Sequence, residues 1–288
     1  MFYEGTEKRL VISTKGLNLF DFADSFWSDL VAHSGAEVLS SITNANVKAY
    51  LLSESSLFVW QDKLILITCG NTQLVKAALF VQQQFTKQHI NTLLFQRHQA
   101  LKPQLQRSNF QQDTLLLEKQ FKGQNMHWRD GYQGDLFVFG EVSENSIITQ
   151  SIYMLHGLNS AFASTLQTKI LDKKAVLAAL KLELLFDHSL SDDSLLDKSL
   201  CSPGLSNLII DHYSFSPKGY SLNAICGADY ITLHLTPEKM STYLSIESSF
   251  SKQRCAHFIN HLQQLFLPSE LKSMHFNSLS QQQLISVD

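Results

Sequence analysis

The chain has no block of basic residues, no apolar run of membrane-spanning length and no closely spaced cysteines. Each shortage removes a class of function. Its 23 Lys and Arg are interspersed with 26 Asp and Glu for a net charge of -3, so a nucleic-acid partner has no electrostatic footprint to rest on. The N-terminal Met1-Phe2-Tyr3-Glu4 lacks the basic-then-apolar order of a signal peptide, and with no spanning segment the expectation is a cytoplasmic protein without a membrane partner. Cys69, Cys201, Cys226 and Cys255 are scattered, which suits free thiols in a reducing compartment rather than a disulfide scaffold. His257 and His261 share a helix face, but no third ligand or catalytic Glu stands with them, so no metal is expected.

What the chain does have is apolar residue: 44% hydrophobic and 17% charged over 288 residues, enough to bury a large core. Lys8 to Ile12 reads as a strand. Phe22, Phe26, Leu30 and Val31 recur at helical spacing between a cap at Asp21 and the breaker Gly35. Val47 to Ser53, Ser56 to Trp60 and Lys63 to Thr68 read as consecutive strands, and Leu74, Val75, Ala78, Val81 and Phe85 as the stripe of a following helix. Thr92 to Phe95 reads as strand, the Gln-rich stretch after it as exposed, and Asp135 to Phe139 with Ser146 to Thr149 as an antiparallel pair. Asp172 to Phe186 reads as one helix, Leu190 to Gly204 as a loop, and Asn207 to Asp211 and Tyr230 to Leu235 as strands. Tyr243 to Phe250 echoes Tyr50 to Leu57, and a helix with the stripe Cys255, Phe258, Ile259, Leu262 and Leu265 follows it. The echo implies internal duplication.

One stretch breaks the apolar pattern: Tyr50-Leu51-Leu52-Ser53-Glu54-Ser55-Ser56-Leu57-Phe58-Val59, four polar residues set inside a buried strand. A hydroxyl or carboxylate without a partner is costly there. Thr68-Cys69-Gly70 lies just downstream, Tyr3-Glu4-Gly5-Thr6-Glu7-Lys8 upstream, and Gly219-Tyr220-Ser221 and His234-Leu235-Thr236-Pro237-Glu238 far downstream. Taken singly, a buried Cys is ordinary core filling, a strand His a satisfied polar group, and a Ser beside Gly turn chemistry. Together, with Cys69 fourteen residues after Ser55 and His234 thirteen after Ser221, the set resembles eukaryotic-type S-adenosylmethionine decarboxylase, a self-cleaving pyruvoyl enzyme.

The resemblance implies an α+β fold, a four-layer αββα sandwich of two antiparallel sheets with helices on the outer faces, in one domain spanning 1–288. It implies cleavage between Glu54 and Ser55 into chains 1–54 and 55–288. Decarboxylation needs a carbonyl to take up electrons, and no side chain offers one. Ser55 would supply it as a covalent pyruvoyl group, the only cofactor implied, to which S-adenosylmethionine would bind as a Schiff base. The product would be the aminopropyl donor for spermidine and spermine synthesis. His234 would take the Ser55 α-proton, Ser221 would hold the rearranging intermediate, Glu7 would support processing and touch substrate, and Cys69 would return a proton to the α-carbon. Tyr3 and Phe215 would sandwich the adenine, main-chain groups of Leu52 and Glu54 would read its edge, Glu238 would accept from the ribose hydroxyls, and Glu4 lies with Tyr3 in the substrate motif.

Typical members of the family continue well past the position of Asp288, so a strand would be missing from one sheet; a homodimer is compatible with the pattern. Putrescine activation is not expected. Val11 stands where responsive members carry Glu and Ile67 where they carry Lys, and Ile152, Met154 and His156 offer no carboxylate to a diamine. Two rivals stand beside this reading. One is a pyruvoyl decarboxylase of ornithine or arginine, against which Tyr3, Phe215 and Glu238 argue. The other is a catalytically dead regulatory homologue, against which the retained Ser55, Cys69, Ser221 and His234 argue.

Overall fold

The computed structural model describes residues 7–86, 88–100, 102–129, 133–142, 149, 151–168, 171–186, 207–216, 218–237, 242–276 and 285–287. The first half supplies β1 (Lys8–Thr14), β2 (Val38–Thr43), β3 (Lys48–Leu52), β4 (Ser55–Val59), β5 (Lys63–Thr68), β6 (Ile90–His98), β7 (Gln124–Trp128) and β8 (Gly134–Phe139), with helices α1 (Asp24–Ser34), α2 (Leu74–Gln84) and α3 (Phe110–Glu118). The second supplies β9 (Ser151–His156), β10 (Ile209–Ser214), β11 (Tyr220–Cys226), β12 (Asp229–Thr236), β13 (Tyr243–Ser248), β14 (Glu270–Phe276) and β15 (Ile285–Val287). Its helices are α4 (Ala161–Thr168), α5 (Lys173–Leu180), α6 (Glu183–Phe186) and α7 (Lys252–Phe266).

The strands form two antiparallel sheets, ordered β2-β3-β4-β5-β1-β6-β8-β7 and β10-β11-β12-β13-β9-β14-β15. Alternation along each strand divides its residues between two environments. Leu10 and Ile12 of β1 pack outward against Trp27, Leu30 and Val31 of α1 and Ala78 and Val81 of α2. Val11 of the same strand points into a core shared by both sheets, with Phe58, Ile65, Ile67 and Leu94 on one side and Ile152, Met154, Tyr230 and Met274 on the other. Leu222, Leu233 and Ile246 of the second sheet pack outward on Phe258, Leu262 and Phe266 of α7. Three apolar layers between four layers of secondary structure make the αββα sandwich.

The duplication is in the topology. In each sheet a four-strand meander returns to the strand that precedes it in sequence, β5 beside β1 and β13 beside β9, and the next strand pairs on that strand's far side. The sequence echo joins non-equivalent places, however. Tyr243 to Ser248 forms β13, whose counterpart is β5, whereas Tyr50 to Leu57 runs through the β3–β4 hairpin.

Several local expectations are corrected. The Asp21 cap is not used: α1 begins after Ala23 with no side-chain cap, and the Asp21 carboxylate accepts from Asn18 instead. Gly35 does end α1, at φ +90°, a left-handed position suited to glycine. The Gln-rich stretch contains α3, because Asn109 and Gln112 form a reciprocal capping box at its start. The helix from Asp172 is two, since Lys181 turns left-handed at φ +52° and separates α5 from α6. β8 pairs with β6 and β7; Ser146 to Ile148 and the Leu190 to Gly204 loop lie outside the described residues. Among those residues no helix is long and apolar enough to cross a membrane, and no group of three His, Cys, Asp or Glu is placed to hold a metal ion.

Candidate active site

β3 and β4 are joined through Ser53 and Glu54, with Leu52 paired directly to Ser55. A connection this short wants positive φ at its central residues, usually from Gly or Asn, and this one has neither. The left-handed geometry falls instead on Ser55, at φ +131°. For a residue with a side chain that conformation costs on the order of 1–3 kcal/mol. Ser55 is also 3% exposed, and its hydroxyl has no hydrogen-bond partner among the described residues. A strained, buried, unpartnered hydroxyl thus sits beside the carbonyl of Glu54.

That carbonyl is held by the end of β5. The backbone N–H of Cys69 donates to Glu54 O at 3.0 Å, and the thiol lies 3.5 Å from the same oxygen and 3.8 Å from the Glu54 carboxylate. Gly70 is left-handed at φ +61°, and a Cβ there would displace the end of the Glu54 side chain, whose Oε2 it would meet at 2.7 Å. The buried Lys8 ammonium donates to the Gly70 carbonyl at 2.8 Å and reaches Thr72 Oγ1 at 3.4 Å. Burial raises the Glu54 carboxyl above its ordinary range; the Cys69 hydrogen bond and the Lys8 charge pull it back.

The second sheet presents a polar group opposite. Ser221 and His234 are paired across β11 and β12, their side chains joined from Ser221 Oγ to His234 Nδ1 at 2.7 Å. Thr232 Oγ1 lies 2.7 Å from the other ring nitrogen, Nε2, and Ser56 Oγ 3.2 Å from it. Ser56 donates to Asn223 Oδ1 at 2.6 Å. Ser56 is therefore the bridge between the strained hairpin and the histidine across the sheet interface. With no charged neighbour to offset burial, His234 is pushed down to about 3 and is neutral over the whole physiological range.

A charged group lies in the same inter-sheet layer. Arg9 Nε donates to Glu247 Oε2 at 3.0 Å, Nη2 approaches that oxygen at 2.9 Å, and Nη1 donates to Gln96 Oε1 at 2.9 Å. Glu7, two residues before Arg9, is pushed up to about 8 by burial first and the Glu247 charge second, against a Ser245 hydrogen bond and the Arg9 charge. At neutral pH its carboxyl is predominantly protonated.

Of the sequence-predicted residues, the structure gathers Leu52, Glu54, Ser55 and Cys69 in one hairpin environment and Ser221 with His234 opposite, and places Glu7 in the charged group. Phe215 is half-buried, its N–H bonded to the Gly219 carbonyl at 2.9 Å, two residues before Ser221. Tyr3, Glu4, Glu238 and Cys201 lie outside the described residues; Cys69, Cys226 and Cys255 are not joined in disulfides. Val11, Ile67, Ile152 and Met154 do meet between the sheets. The same layer also holds the Arg9–Glu247 ion pair, a carboxylate that the sequence pattern does not place there. Sequence reasoning also passed over Lys8, Ser56, Asn223 and Thr232. An inward-facing Arg at the second position of an apolar strand, and Thr two residues from His on one strand face, were the available signals.

Residues 1–287 match the family model described as adenosylmethionine decarboxylase. Over 295 residues the chain is 26% identical to the S-adenosylmethionine decarboxylase proenzyme of Trypanosoma cruzi, covering 92% of this chain and 73% of that protein. It is 24% identical over 300 residues to proenzyme 2 of Arabidopsis thaliana, covering 97% and 80%. With the Drosophila melanogaster proenzyme it shares 25% identity over 285 residues, covering 93% and 81%. Among solved structures it is similar in fold to a Trypanosoma brucei AdoMetDC-delta26 monomer, at a TM-score of 0.54 and 19% identity over 76% of this chain and 78% of that one.

Proposed function

The chain belongs to the adenosylmethionine decarboxylase family, and from that premise we propose that it is a proenzyme that cuts itself between Glu54 and Ser55 and then decarboxylates S-adenosylmethionine. The observation that carries the proposal is the Ser55 hydroxyl, buried without a partner on a strained residue next to a carbonyl already held by the Cys69 N–H.

Ser55 Oγ attacks the Glu54 carbonyl carbon, and the charge that develops on the oxygen meets a preorganised donor in Cys69 N–H. The C–N bond breaks, the nitrogen takes a proton, and an ester joins Glu54 to Ser55 Oγ; relief of the φ +131° strain favours this step. Loss of the Ser55 α-proton to His234, whose ring burial keeps neutral with a lone pair free to accept although it also weakens the imidazole as a base, expels the Glu54 carboxylate from Cβ. Water then replaces the resulting enamine nitrogen, ammonia leaves, and chain 55–288 begins with a pyruvoyl group. That group supplies the carbonyl into which electrons pass when CO2 departs. The Cys69 thiol, which lies against Glu54 at the cut, returns a proton to the α-carbon. Glu7, protonated at neutral pH, offers a donor to the substrate head. Tyr3 and Phe215 sandwich the adenine, main-chain groups of Leu52 and Glu54 meet its edge, and Glu238 takes the ribose hydroxyls. The product serves polyamine synthesis as an aminopropyl donor.

The test is CO2 release by purified cleaved enzyme from carboxyl-labelled S-adenosylmethionine, ornithine and arginine. Release from the first alone is expected, with Cys69→Ala slowed by about a hundredfold or more once cleaved. Release from arginine or ornithine but not from S-adenosylmethionine overturns the substrate, and an unchanged rate in Cys69→Ala reduces that residue to core filling.

A further inference from the structure

The hydrogen bonds around His234 determine which of its nitrogens is the base. Four side chains meet the ring or its neighbours, and each hydroxyl has one proton to place. Thr232 Oγ1 lies 3.1 Å from the Leu222 carbonyl, which can only accept, and 2.7 Å from His234 Nε2. Ser56 gives its proton to Asn223 Oδ1. If Nε2 carries the ring proton, it donates to Thr232, Thr232 donates to Leu222 O, Ser221 donates to Nδ1 and Ser56 donates to Asn223 Oδ1, so every hydroxyl and ring proton has an acceptor and only the Asn223 amide N–H is left without one among the described residues. If instead Nδ1 carries it, Ser221 must accept, and its own proton has no acceptor among the described residues although Ser221 is 4% exposed. Nε2 would then draw a proton from Thr232, taking it from the Leu222 carbonyl, or from Ser56, taking it from Asn223 Oδ1. An unsatisfied buried donor disfavours that arrangement.

We propose that Thr232, anchored on the Leu222 carbonyl and seconded by Ser56, is a positioning residue that fixes His234 as the Nε2–H tautomer and so makes Nδ1, on the Ser221 side, the nitrogen that accepts the proton in self-processing. The tautomer assignment stands on the hydrogen bonds alone; its consequence for processing rests on the self-cleavage proposed above. Because Nδ1 is already bonded to Ser221, that hydroxyl lies on the proton's route and must swing away or pass it on. Thr232 never touches the scissile residue in this account. It acts by occupying Nε2.

Two readouts test this and separate its failure from failure of the self-cleavage reading. In uncleavable Ser55→Ala protein, ring-nitrogen NMR of labelled histidine, with His234 assigned by its loss in His234→Gln, reports the tautomer whether or not the chain ever processes. Protonated Nε2 and unprotonated Nδ1 are expected, with Thr232→Val, and more strongly Thr232→Val with Ser56→Ala, moving the proton toward Nδ1. On the Ser55 background, Thr232→Val should slow cleavage about tenfold to a hundredfold while Thr232→Ser, which keeps the hydroxyl, restores it. A protonated Nδ1 in the Ser55→Ala protein overturns the proposal, as does wild-type cleavage by a Thr232→Val chain. Equal slowing in Thr232→Ser and Thr232→Val also overturns it, since that assigns the effect to packing.

Discussion

The tripeptide Glu-Ser-Ser occurs at 54–56 and again at 247–249, and the two copies have opposite fates. Glu247 and Ser248 lie in β13, hydrogen-bonded on both sides to β12 and β9. Every polar group there is answered: Glu247 by Arg9, Ser248 by the Cys255 thiol at 3.4 Å, and Ser249 by Asp229 at 2.9 Å and the Tyr230 N–H at 3.1 Å. Glu54 and Ser55 straddle a hairpin turn, where the backbone bends through φ +131° and the Ser55 hydroxyl has no partner among the described residues. The same residues are inert where hydrogen bonding is complete and reactive in prospect where it is not. On the proposed self-cleavage, reactivity belongs to the turn, and the neighbouring side chains direct it.

The first way to break the comparison is to remove what makes Glu247 inert. Arg9→Met leaves a buried carboxylate without its cation, and a loss of about 3–5 kcal/mol in urea unfolding is expected. The same change at Glu54 has no counterpart, because its carboxylate rests on a thiol and a nearby ammonium. A loss below about 1 kcal/mol would show that solvent reaches the pair.

A smaller effect concerns Glu7, which shares the Arg9 field. Its carboxyl is raised from an ordinary value near 4.3 to about 8, so across that window the folded chain holds a proton that the unfolded chain has lost. Stability is therefore lost as pH rises through the window. Glu7→Gln should flatten this limb of the melting temperature against pH. His234, pushed down to about 3, gives the opposite limb, losing stability as pH falls from about 6.5. An unchanged alkaline limb in Glu7→Gln would place the titration elsewhere.

The smallest expected effect is none. Arg9 already places a cation against Glu247, while Val11, Ile67, Ile152 and Met154 fill the surrounding layer. Millimolar putrescine should change neither cleavage nor decarboxylation at fixed ionic strength. Several-fold stimulation of either would mean that a diamine competes with or supplements the guanidinium.

Much of this was legible in the chain. The β3–β4–β5 run and the stripes of α1, α2 and α7 follow from strict periodicity, and Cys69 at a strand end follows from the length of β5. What sequence could not give depends on pairing between distant segments. Arg9 looks like an ordinary strand cation until Glu247, 238 residues away, is set opposite it. Thr232 looks like a β-branched filler until the Leu222 carbonyl gives its proton a destination. The echo at Tyr243 misled because identical residues say nothing about whether the backbone turns there; the turn at Ser53-Glu54 lacks the glycine that would have announced it.

The measurement closest to the central claim is the intact mass of the freshly folded, denatured chain beside Ser55→Ala and Ser248→Ala. Two chains, 1–54 and 55–288 with the second blocked by a pyruvoyl terminus, are predicted for the wild type and for Ser248→Ala, and one uncut chain for Ser55→Ala. A single 288-residue species in an active wild-type preparation, or a cut that persists with a pyruvoyl terminus in Ser55→Ala, would contradict it.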